Sequence, residues 1–410
     1  MATTAQARYI PRSIEPVLKR AARQFPVVVL TGPRQSGKTT LLKHLFARRY
    51  RYVSLEPPDV RAAAAADPRG FLAMHGPPAI LDEVQYAPVL LPYVKEHVDA
   101  RRDQAGQYLL TGSQNLLMLE RVSETLAGRA AILRLLPLSR HETMSRPGAS
   151  FPWESGRREA GRTPGPKDLW ADLLRGGYPE LVASPKRDAA LWHASYVQTY
   201  LERDVRTLRQ IGDLTQFQSL LRALAARSAQ LLSLTDLSRE LGITVNTVKA
   251  WLSVLEATFQ IIVLRPYFAN IGKRLVKTPK VYLADTGTLC YLAGLKTAEH
   301  AAAGPMGGAI LETAVVSEIV KGYWNRGVEP QVWFWRTSTG TEVDVVVESE
   351  GRLIPIEVKL SATPVPGMAR GIEVFRKDMG DRAVKGYVVH PGDVRLPLGP
   401  DATALPLAEL

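Results

Sequence analysis

The feature that most constrains this chain is the octapeptide Gly32–Thr39, which fits the pattern G-x-x-x-x-G-K-[ST]. A short apolar run at Val27–Leu30 precedes it, and residues 40–46 follow it with helical spacing. This order of strand, loop and helix is the context in which the pattern forms a phosphate-binding loop. A tight glycine turn without a ligand is the alternative reading.

In such a loop the glycines let backbone N–H groups and a helix N-terminus converge on an anion. Lys38 is expected to bridge the β- and γ-phosphates of a nucleotide and to act in catalysis, and the Thr39 hydroxyl is expected to bind Mg²⁺. The predicted nucleotide contacts in this loop are Gly32, Pro33, Arg34, Gln35, Ser36, Gly37, Lys38, Thr39 and Thr40.

A second nucleotide signature is the apolar run Pro78–Leu81, which ends in the adjacent carboxylates Asp82 and Glu83. Ligands of parallel α/β folds bind at the carboxyl ends of the strands. We expect Asp82 to hold the Mg²⁺ shell and Glu83 to orient and polarise the attacking water. Their position, about 45 residues beyond the loop, is usual for this class of site.

Two further positions are candidates on weaker signals. Ser113 follows a third apolar strand and is predicted to sense the γ-phosphate, with a turn closed by Gly112 as the alternative. Arg129 precedes a fourth strand and is predicted to be a catalytic arginine finger that reaches the nucleotide of a neighbouring subunit. A solvated arginine is the alternative, and a homo-oligomer is left open.

These motifs, together with Ile80–Gln85, Leu110–Gln114 and Ala127–Leu138, resemble those of bacterial and archaeal AAA-type ATPases fused to a C-terminal domain of unknown function. The resemblance extends over most of the chain. It implies ATP as the nucleotide and an AAA-like fold, which we place at residues 1–142.

The composition of the chain predicts the class of its binding partner and its location in the cell. The formal charge of +12 and the pI near 9.7 favour a polyanion such as DNA, although an anionic membrane surface or an arginine-rich genome would also account for them. No long apolar run or secretory signal occurs, so we expect a cytoplasmic protein without a membrane segment. The single cysteine, Cys290, excludes an internal disulfide.

The chain then changes character. Residues 143–167 are rich in Pro, Gly, Ser and Arg and are predicted to be an exposed linker or insertion. Residues 168–232 have helical periodicity and are interpreted as a helical lid. Within it, residues 202–204 form a charged cluster that matches a recurrent feature of the family, and local salt bridging is the alternative.

Residues 233–300 predict a winged helix. Ser233 and Thr244 each begin a short helix, Gly242 separates the two helices, and two alternating strands follow. If the module binds DNA, its second helix enters the major groove and the wing contacts the backbone. The predicted DNA contacts are Asn246, Thr247, Lys249, Lys273, Arg274 and Lys277. A lid or interaction module that touches no DNA is the alternative.

Residues 301–410 predict a restriction-endonuclease-like domain of the PD-(D/E)xK type. Asp344 followed by Glu357-x-Lys359 fits the D-(x)n-E-x-K arrangement, in which two carboxylates hold Mg²⁺ and a lysine assists a metal-activated water. Glu357 and Lys359 share one strand face because side chains alternate along a strand. Glu312, on the preceding helix, is predicted to be a further metal ligand. A hairpin with charges on its wet side is the alternative.

The sequence therefore predicts an α/β protein with an AAA-type P-loop domain followed by a helical lid, a winged helix and a nuclease-like α/β domain. The preferred function is an ATP-hydrolysing, Mg²⁺-dependent enzyme that acts on DNA, with a nuclease-like tail for which metal-dependent DNA cleavage is left open. An ATP-driven protein-interaction switch with an inactive tail is the alternative, and a sequence-specific regulator controlled by ATP is a third.

Overall fold

A computed structural model describes residues 9–112, 124–155, 166–201, 205, 213–267 and 278–410 of the 410-residue chain. Three β-sheets lie within these ranges, in the order of the chain. The residues between and around them are mainly helical.

The first sheet has the strand order β2-β3-β4-β1-β5, and its strands all run parallel. Every residue of β1 and β3 is buried, as expected for parallel strands covered by helices on both faces. β4 lies between β1 and β3, so the carboxyl ends of these three strands meet at one edge. The elements are α1 (Glu15–Gln24), β1 (Val27–Thr31), α2 (Lys38–Phe46), β2 (Arg51–Ser54), α3 (Pro58–Ala66), α4 (Pro68–Met74), β3 (Ala79–Asp82), α5 (Leu90–Ala100), β4 (Tyr108–Gly112) and β5 (Ala130–Arg134).

A helical segment follows the sheet and packs through aromatic rings. Tyr178, Trp192 and Tyr196 contact one another at ring-centroid distances of 4.7–5.3 Å. Aromatic side chains bury large apolar areas, so this cluster fixes the helices that carry it. The helices are α6 (Arg140–Thr143), α7 (Pro152–Ser155), α8 (Pro166–Arg175), α9 (Pro179–Ala183), α10 (Ala189–Tyr200) and α11 (Leu214–Ala226).

The predicted exposed linker is wrong at Phe151 and Pro152, which are buried. The Phe151 ring occupies the space that a side chain at Gly322 would fill, and it stacks on Trp153 with ring centroids 4.5 Å apart. Arg326 lies over the same ring. The two aromatic residues bury apolar area against a helix, and this outweighs the polar composition of the surrounding stretch.

The predicted pair of short helices is present, and both begin at the predicted caps. The Ser233 hydroxyl accepts the N–H of Asp236, and the Thr244 hydroxyl accepts the N–H of Thr247 at 3.1 Å. Gly242 has φ +65°, a left-handed conformation that suits glycine at a helix C-terminus. A three-stranded antiparallel sheet of order β6-β8-β7 accompanies the helices. The elements are β6 (Gln230–Leu231), α12 (Leu234–Leu241), α13 (Val245–Ala257), β7 (Ile261–Leu264), β8 (Lys280–Leu283), α14 (Thr286–Leu292) and α15 (Ala298–Ala303).

The last sheet has the order β13-β14-β12-β11-β10-β9 and is mixed. β9, β10 and β11 form an antiparallel meander, whereas β11, β12 and β14 run parallel. α16 is apolar along most of its length and lies buried between this sheet and the middle of the chain. The elements are α16 (Gly307–Asn325), β9 (Val332–Arg336), β10 (Glu342–Ser349), β11 (Arg352–Val358), α17 (Arg370–Met379), β12 (Gly386–His390), β13 (Leu396–Pro397) and β14 (Ala402–Pro406).

Two further features of the fold concern the cysteine and the composition of the helices. Cys290 is buried, and burial raises its pKa to about 12. Among the described helices, none has both the length and the apolar composition needed to cross a membrane.

Candidate functional site

The phosphate loop connects β1 to α2, and its backbone depends on its glycines. Gly32 and Gly37 have φ values of +149° and +93°, a region that side chains disfavour. A Cβ at Gly32 would lie 2.1 Å from the carbonyl oxygen of Leu135, so no larger residue fits there. Gln35 is also left-handed, with φ +61°. The loop is thus fixed in a tight arch before any ligand binds.

Lys38 is the first residue of α2 and is buried. Its Nζ donates hydrogen bonds of 2.9 Å to the carbonyl oxygens of Gly32 and Pro33. The ammonium group therefore lies within the arch of the loop. Its carbonyl partners are neutral, so a phosphate oxygen can replace them with a stronger, charge-assisted partner.

The Ser36 hydroxyl is buried and makes no hydrogen bond with any described residue. A buried polar group without a partner is costly, and it fits a loop whose partner is a ligand. The donor set of this arch therefore matches a bound phosphate.

Asp82 ends β3 and faces this loop. It accepts hydrogen bonds from three hydroxyls: Thr39 at 3.0 Å, Tyr52 at 2.7 Å, and Thr111. Thr39 and Asp82 were predicted to share a magnesium ion, and the structure brings them into direct contact. Oxygen donors of this type suit Mg²⁺.

Glu83 follows Asp82 in a left-handed conformation, with φ +59°. Its N–H donates to the Thr111 hydroxyl at 3.1 Å, and its carboxylate accepts a hydrogen bond from the Gln85 side chain. Backbone and side-chain contacts therefore fix Glu83 at the same sheet edge as the phosphate loop.

Arg12 holds the phosphate loop through hydrogen bonds. The sequence analysis did not predict this residue. Its guanidinium donates to the carbonyl oxygens of Ser36 at 2.8 Å and Leu136 at 2.7 Å, and it pairs with Glu142 at 3.1 Å. Both charged side chains are buried. The Ser139-x-x-Glu142 pattern was readable as a capping box, which the structure contains, but no local pattern connects it to Arg12.

A cavity of about 520 Å³ opens beside the loop. Arg34, Gln35 and Thr40 line it from the loop side, while Tyr9 and Pro179 line it from the N-terminal segment and α9. Its size is within the range of small-molecule sites. The helical segment that follows the first sheet therefore closes one wall of the candidate nucleotide pocket.

Two of the weaker candidates have different outcomes. Ser113 lies outside the described residues, as does the charged cluster at residues 202–204. Arg129 lies at the amino end of β5, the sheet edge opposite the phosphate loop, and pairs with Asp99 at 2.6 Å. Arg129 does not reach the nucleotide pocket of its own chain, and a role toward a neighbouring subunit stays a prediction.

Asp344 and Glu357 lie side by side on β10 and β11. Val345 pairs with Ile356 in the ladder, and Asp344 accepts the N–H of Val358 at 2.8 Å. Lys359 donates to Glu357 at 2.7 Å. Burial, followed by the charge of Asp344, raises the pKa of Glu357. The structure therefore brings the three predicted residues together.

The predicted metal ligand Glu312 has different partners. Its carboxylate accepts hydrogen bonds from Lys280 Nζ at 2.9 Å and from the Tyr282 hydroxyl at 2.7 Å. Lys280 also pairs with Glu342, and its Nζ lies 3.8 Å from Asp344. We call Glu312, Glu342, Asp344 and Glu357 the C-terminal carboxylate cluster.

The prediction of Mg²⁺ held by Glu312, Asp344 and Glu357 is not supported by this geometry. Among the described residues, no group of three or more His, Cys, Asp or Glu side chains is arranged to hold a metal ion. The Lys280 ammonium group instead lies beside Glu312, Glu342 and Asp344. Lys280 lies in residues 233–300, which we call the middle module, and the sequence pattern around it indicated only a strand.

Three of the six residues predicted to contact DNA lie at the start of α13. Asn246 and Lys249 are exposed, Thr247 is half-buried, and Val248 packs inward. Lys273, Arg274 and Lys277 lie outside the described residues.

The phosphate loop, the Asp82–Glu83 pair and the parallel sheet define the class of this protein, a P-loop ATPase. Residues 24–144 match the family model of an AAA domain. Residues 166–299 and 307–410 match two domains of unknown function, DUF8612 and DUF4143.

Two mycobacterial proteins are similar over nearly the whole chain. The uncharacterized proteins Rv2008c of Mycobacterium tuberculosis and Mb2031c of Mycobacterium bovis are each 32% identical over 402 residues, covering 96% of this chain and 82% of the relative. The chain belongs to the family of these proteins. Its own matches to an AAA domain and to DUF4143 support an AAA-type ATPase with a C-terminal domain of unknown function. The match to the AAA domain supports ATP binding and hydrolysis.

The solved structures that match are more distant. The Walker-type ATPase PABY2304 of Pyrococcus abyssi has a TM-score of 0.46 and 15% identity, covering 71% of this chain and 99% of that protein. A RuvB variant of Thermotoga maritima has a TM-score of 0.25 and 18% identity, covering 61% and 85%. Neither likeness bears on function.

Proposed function

We propose that this protein binds Mg²⁺·ATP between the phosphate loop and Asp82, hydrolyses it, and engages DNA through residues 233–300. The observation that carries the nucleotide part is the direct contact between Thr39 and Asp82 beside a preformed loop. These two side chains would hold the magnesium ion, which neutralises phosphate charge when it is bound.

The remaining roles belong to residues of the loop and the sheet edge. The backbone N–H groups of the loop and Lys38 Nζ bind the phosphates. Glu83, fixed by Thr111 and Gln85, orients the attacking water and accepts its proton. Arg12 holds the carbonyl groups of Ser36 and Leu136 and so keeps the loop in position.

The order of elements supports a winged helix in the middle of the chain. α11, β6, α12, α13, β7 and β8 follow one another, and the three strands pair as β6-β8-β7. The exposed start of α13, with Asn246 and Lys249, has the chemistry of a helix that enters the major groove. The net charge of +12 adds long-range attraction for a polyanion.

The order of elements in the C-terminal domain supports a nuclease-like fold. The residues around its carboxylates do not support a cleavage reaction. The succession α16-β9-β10-β11-α17-β12, with Asp344 and Glu357 on neighbouring strands, supports the restriction-endonuclease-like assignment. Fold alone does not establish activity. Because Lys280 lies in the C-terminal carboxylate cluster, we propose no metal-dependent DNA cleavage by this domain.

DNA engagement is tested by the mobility shift of a labelled duplex at several salt concentrations. Lys249→Ala is expected to weaken binding and to reduce the salt slope by about one, the effect of losing one phosphate contact. Lys377→Ala, another exposed lysine, is the matched control. If wild type gives no salt-dependent shift, the DNA proposal fails, and the alternative of a protein-interaction switch takes its place.

A further inference from the structure

The C-terminal carboxylate cluster is closed from one side by the middle module. Lys280, the first residue of β8, is buried, and its Nζ lies within ion-pair distance of Glu312, Glu342 and Asp344. Tyr282, two residues further on the same strand face, donates to Glu312. One strand of the middle module thus supplies two donors to carboxylates of the C-terminal domain.

The electrostatics favour a charged lysine at this position. Burial alone would lower the pKa of Lys280, but Glu312, Asp344 and Glu342 together raise it above its ordinary value. Two further cations lie at this cluster: Arg336 pairs with Glu342 at 3.1 Å, and Lys359 pairs with Glu357 at 2.7 Å. The Lys280 ammonium group is therefore in ion-pair contact with three carboxylates of the cluster.

Other contacts fix Lys280 in place. The chain just after β7 pairs with β9, where Tyr267 N–H donates to the carbonyl oxygen of Phe334 at 2.6 Å. The Tyr267 ring is buried among Trp335, Phe375 and their neighbours in the C-terminal core. The Ser317 hydroxyl, on α16, donates to the carbonyl oxygen of Ala284 at 2.8 Å. Lys280 is thus part of an extended interface between the middle module and the C-terminal domain. It is not a mobile surface side chain.

We infer that Lys280 is a built-in substitute for the divalent cation of a nuclease-like site: it fastens the C-terminal domain to the middle module and excludes metal from Asp344. A Mg²⁺ or Mn²⁺ ion needs several oxygen ligands free to surround it. At Asp344 it would meet an ammonium group of the same sign in a poorly hydrated environment, where repulsion between like charges is strong. This inference rests on the nuclease-like fold proposed above and on contacts within the described residues, and it does not depend on DNA binding.

The test is Mn²⁺ binding to the full-length protein without nucleotide, followed by the electron paramagnetic resonance signal of free Mn²⁺. Wild type and Asp344→Asn are expected to take up equal amounts. Lys280→Met, which keeps the length of the side chain and removes its charge, is expected to bind one additional Mn²⁺ per chain. That additional site is expected to disappear in Lys280→Met/Asp344→Asn, and Lys280→Arg is expected to match wild type.

Two results would overturn the inference. One is Mn²⁺ uptake by wild type that falls in Asp344→Asn, which would show that the cluster accepts metal beside Lys280. The other is a folded Lys280→Met protein, with wild-type ATP hydrolysis, that gains no site. If Lys280→Met does not fold, the comparison of wild type with Asp344→Asn decides: equal uptake supports the inference, and a loss in the variant overturns it.

Discussion

The phosphate loop and the C-terminal carboxylate cluster use the same side chains, a lysine beside acidic residues, but they arrange them differently. Lys38 bonds to neutral carbonyl oxygens of its own loop, and Asp82 accepts bonds from hydroxyls. Lys280 is instead buried in ion pairs with carboxylates from another part of the chain. In the first site, a ligand can replace the hydrogen-bond partners of Lys38 and Asp82. In the second site, the Lys280 ammonium group is itself the cation.

The difference shows that a motif specifies chemistry only together with its surroundings. Hydroxyl and carbonyl partners are exchangeable because each such bond contributes only about 0.5–1.5 kcal/mol net. A buried ammonium among carboxylates is not exchangeable, because its removal leaves uncompensated charge. The following predictions test that difference, beginning with the largest expected effect.

Lys38→Ala is expected to lower kcat/KM for ATP by about ten-thousandfold. A lost charge-assisted bond lowers affinity by up to about a hundredfold, and the lost stabilisation of developing charge lowers turnover by a similar factor or more. Steady-state hydrolysis and binding of a fluorescent ATP analogue measure the two parts. Lys19→Ala, an exposed lysine on α1, is the control, and undiminished ATP affinity in Lys38→Ala would contradict the loop assignment.

Glu83→Gln is expected to lower turnover by about a thousandfold while ATP affinity stays within a few-fold of wild type. The amide keeps the size and a hydrogen bond of the side chain but cannot accept a proton from water. Single-turnover hydrolysis separates the chemical step from binding. The exposed Glu96→Gln serves as control, and a Glu83→Gln protein that turns over normally would place the water-orienting group elsewhere.

Lys280→Met is expected to lower the free energy of unfolding by about 3–5 kcal/mol, the usual cost of removing one member of a buried ion pair. Denaturant unfolding of the full chain measures this change, and added Mn²⁺ should recover part of it. Lys296→Met, on an exposed position nearby, should change stability little. Equal stabilities of the two variants would mean that Lys280 is not a buried counter-ion.

Tyr52→Phe is expected to lower the free energy of unfolding by about 1 kcal/mol and to leave ATP turnover within a few-fold of wild type. Only one of three hydroxyl bonds to Asp82 is lost, and its loss resembles that of an ordinary hydrogen bond. Thermal unfolding and ATPase rates provide the data, with Tyr93→Phe as control. A thousandfold loss of turnover would show that the Tyr52 hydroxyl has a catalytic part.

Much of the first site was predictable because its signals are local. The glycines, Lys38 and Thr39 lie within eight residues, and the apolar run before Asp82 predicted a strand that ends in a ligand. The contact of Asp82 with Tyr52 was not predictable, since it depends on β2 lying beside β3. Arg12 was missed for the same reason, because its partner Glu142 is 130 positions away.

The second site shows the limit of motif reading more clearly. The spacing of Asp344, Glu357 and Lys359 predicted their proximity, which is confirmed, because strand periodicity and a hairpin are sufficient for it. The predicted metal is not supported because Lys280 approaches from a different module, 32 residues before Glu312. No periodicity or spacing in the sequence encodes that approach.

The most direct test of this account is the number of Mn²⁺ ions that the full chain binds in the presence of a non-hydrolysable ATP analogue. One ion per chain is predicted, lost in Asp82→Asn and unchanged in Asp344→Asn. An ion that persists in Asp82→Asn and disappears in Asp344→Asn would contradict the account, because metal would then bind in the cluster that holds Lys280 and not beside the phosphate loop.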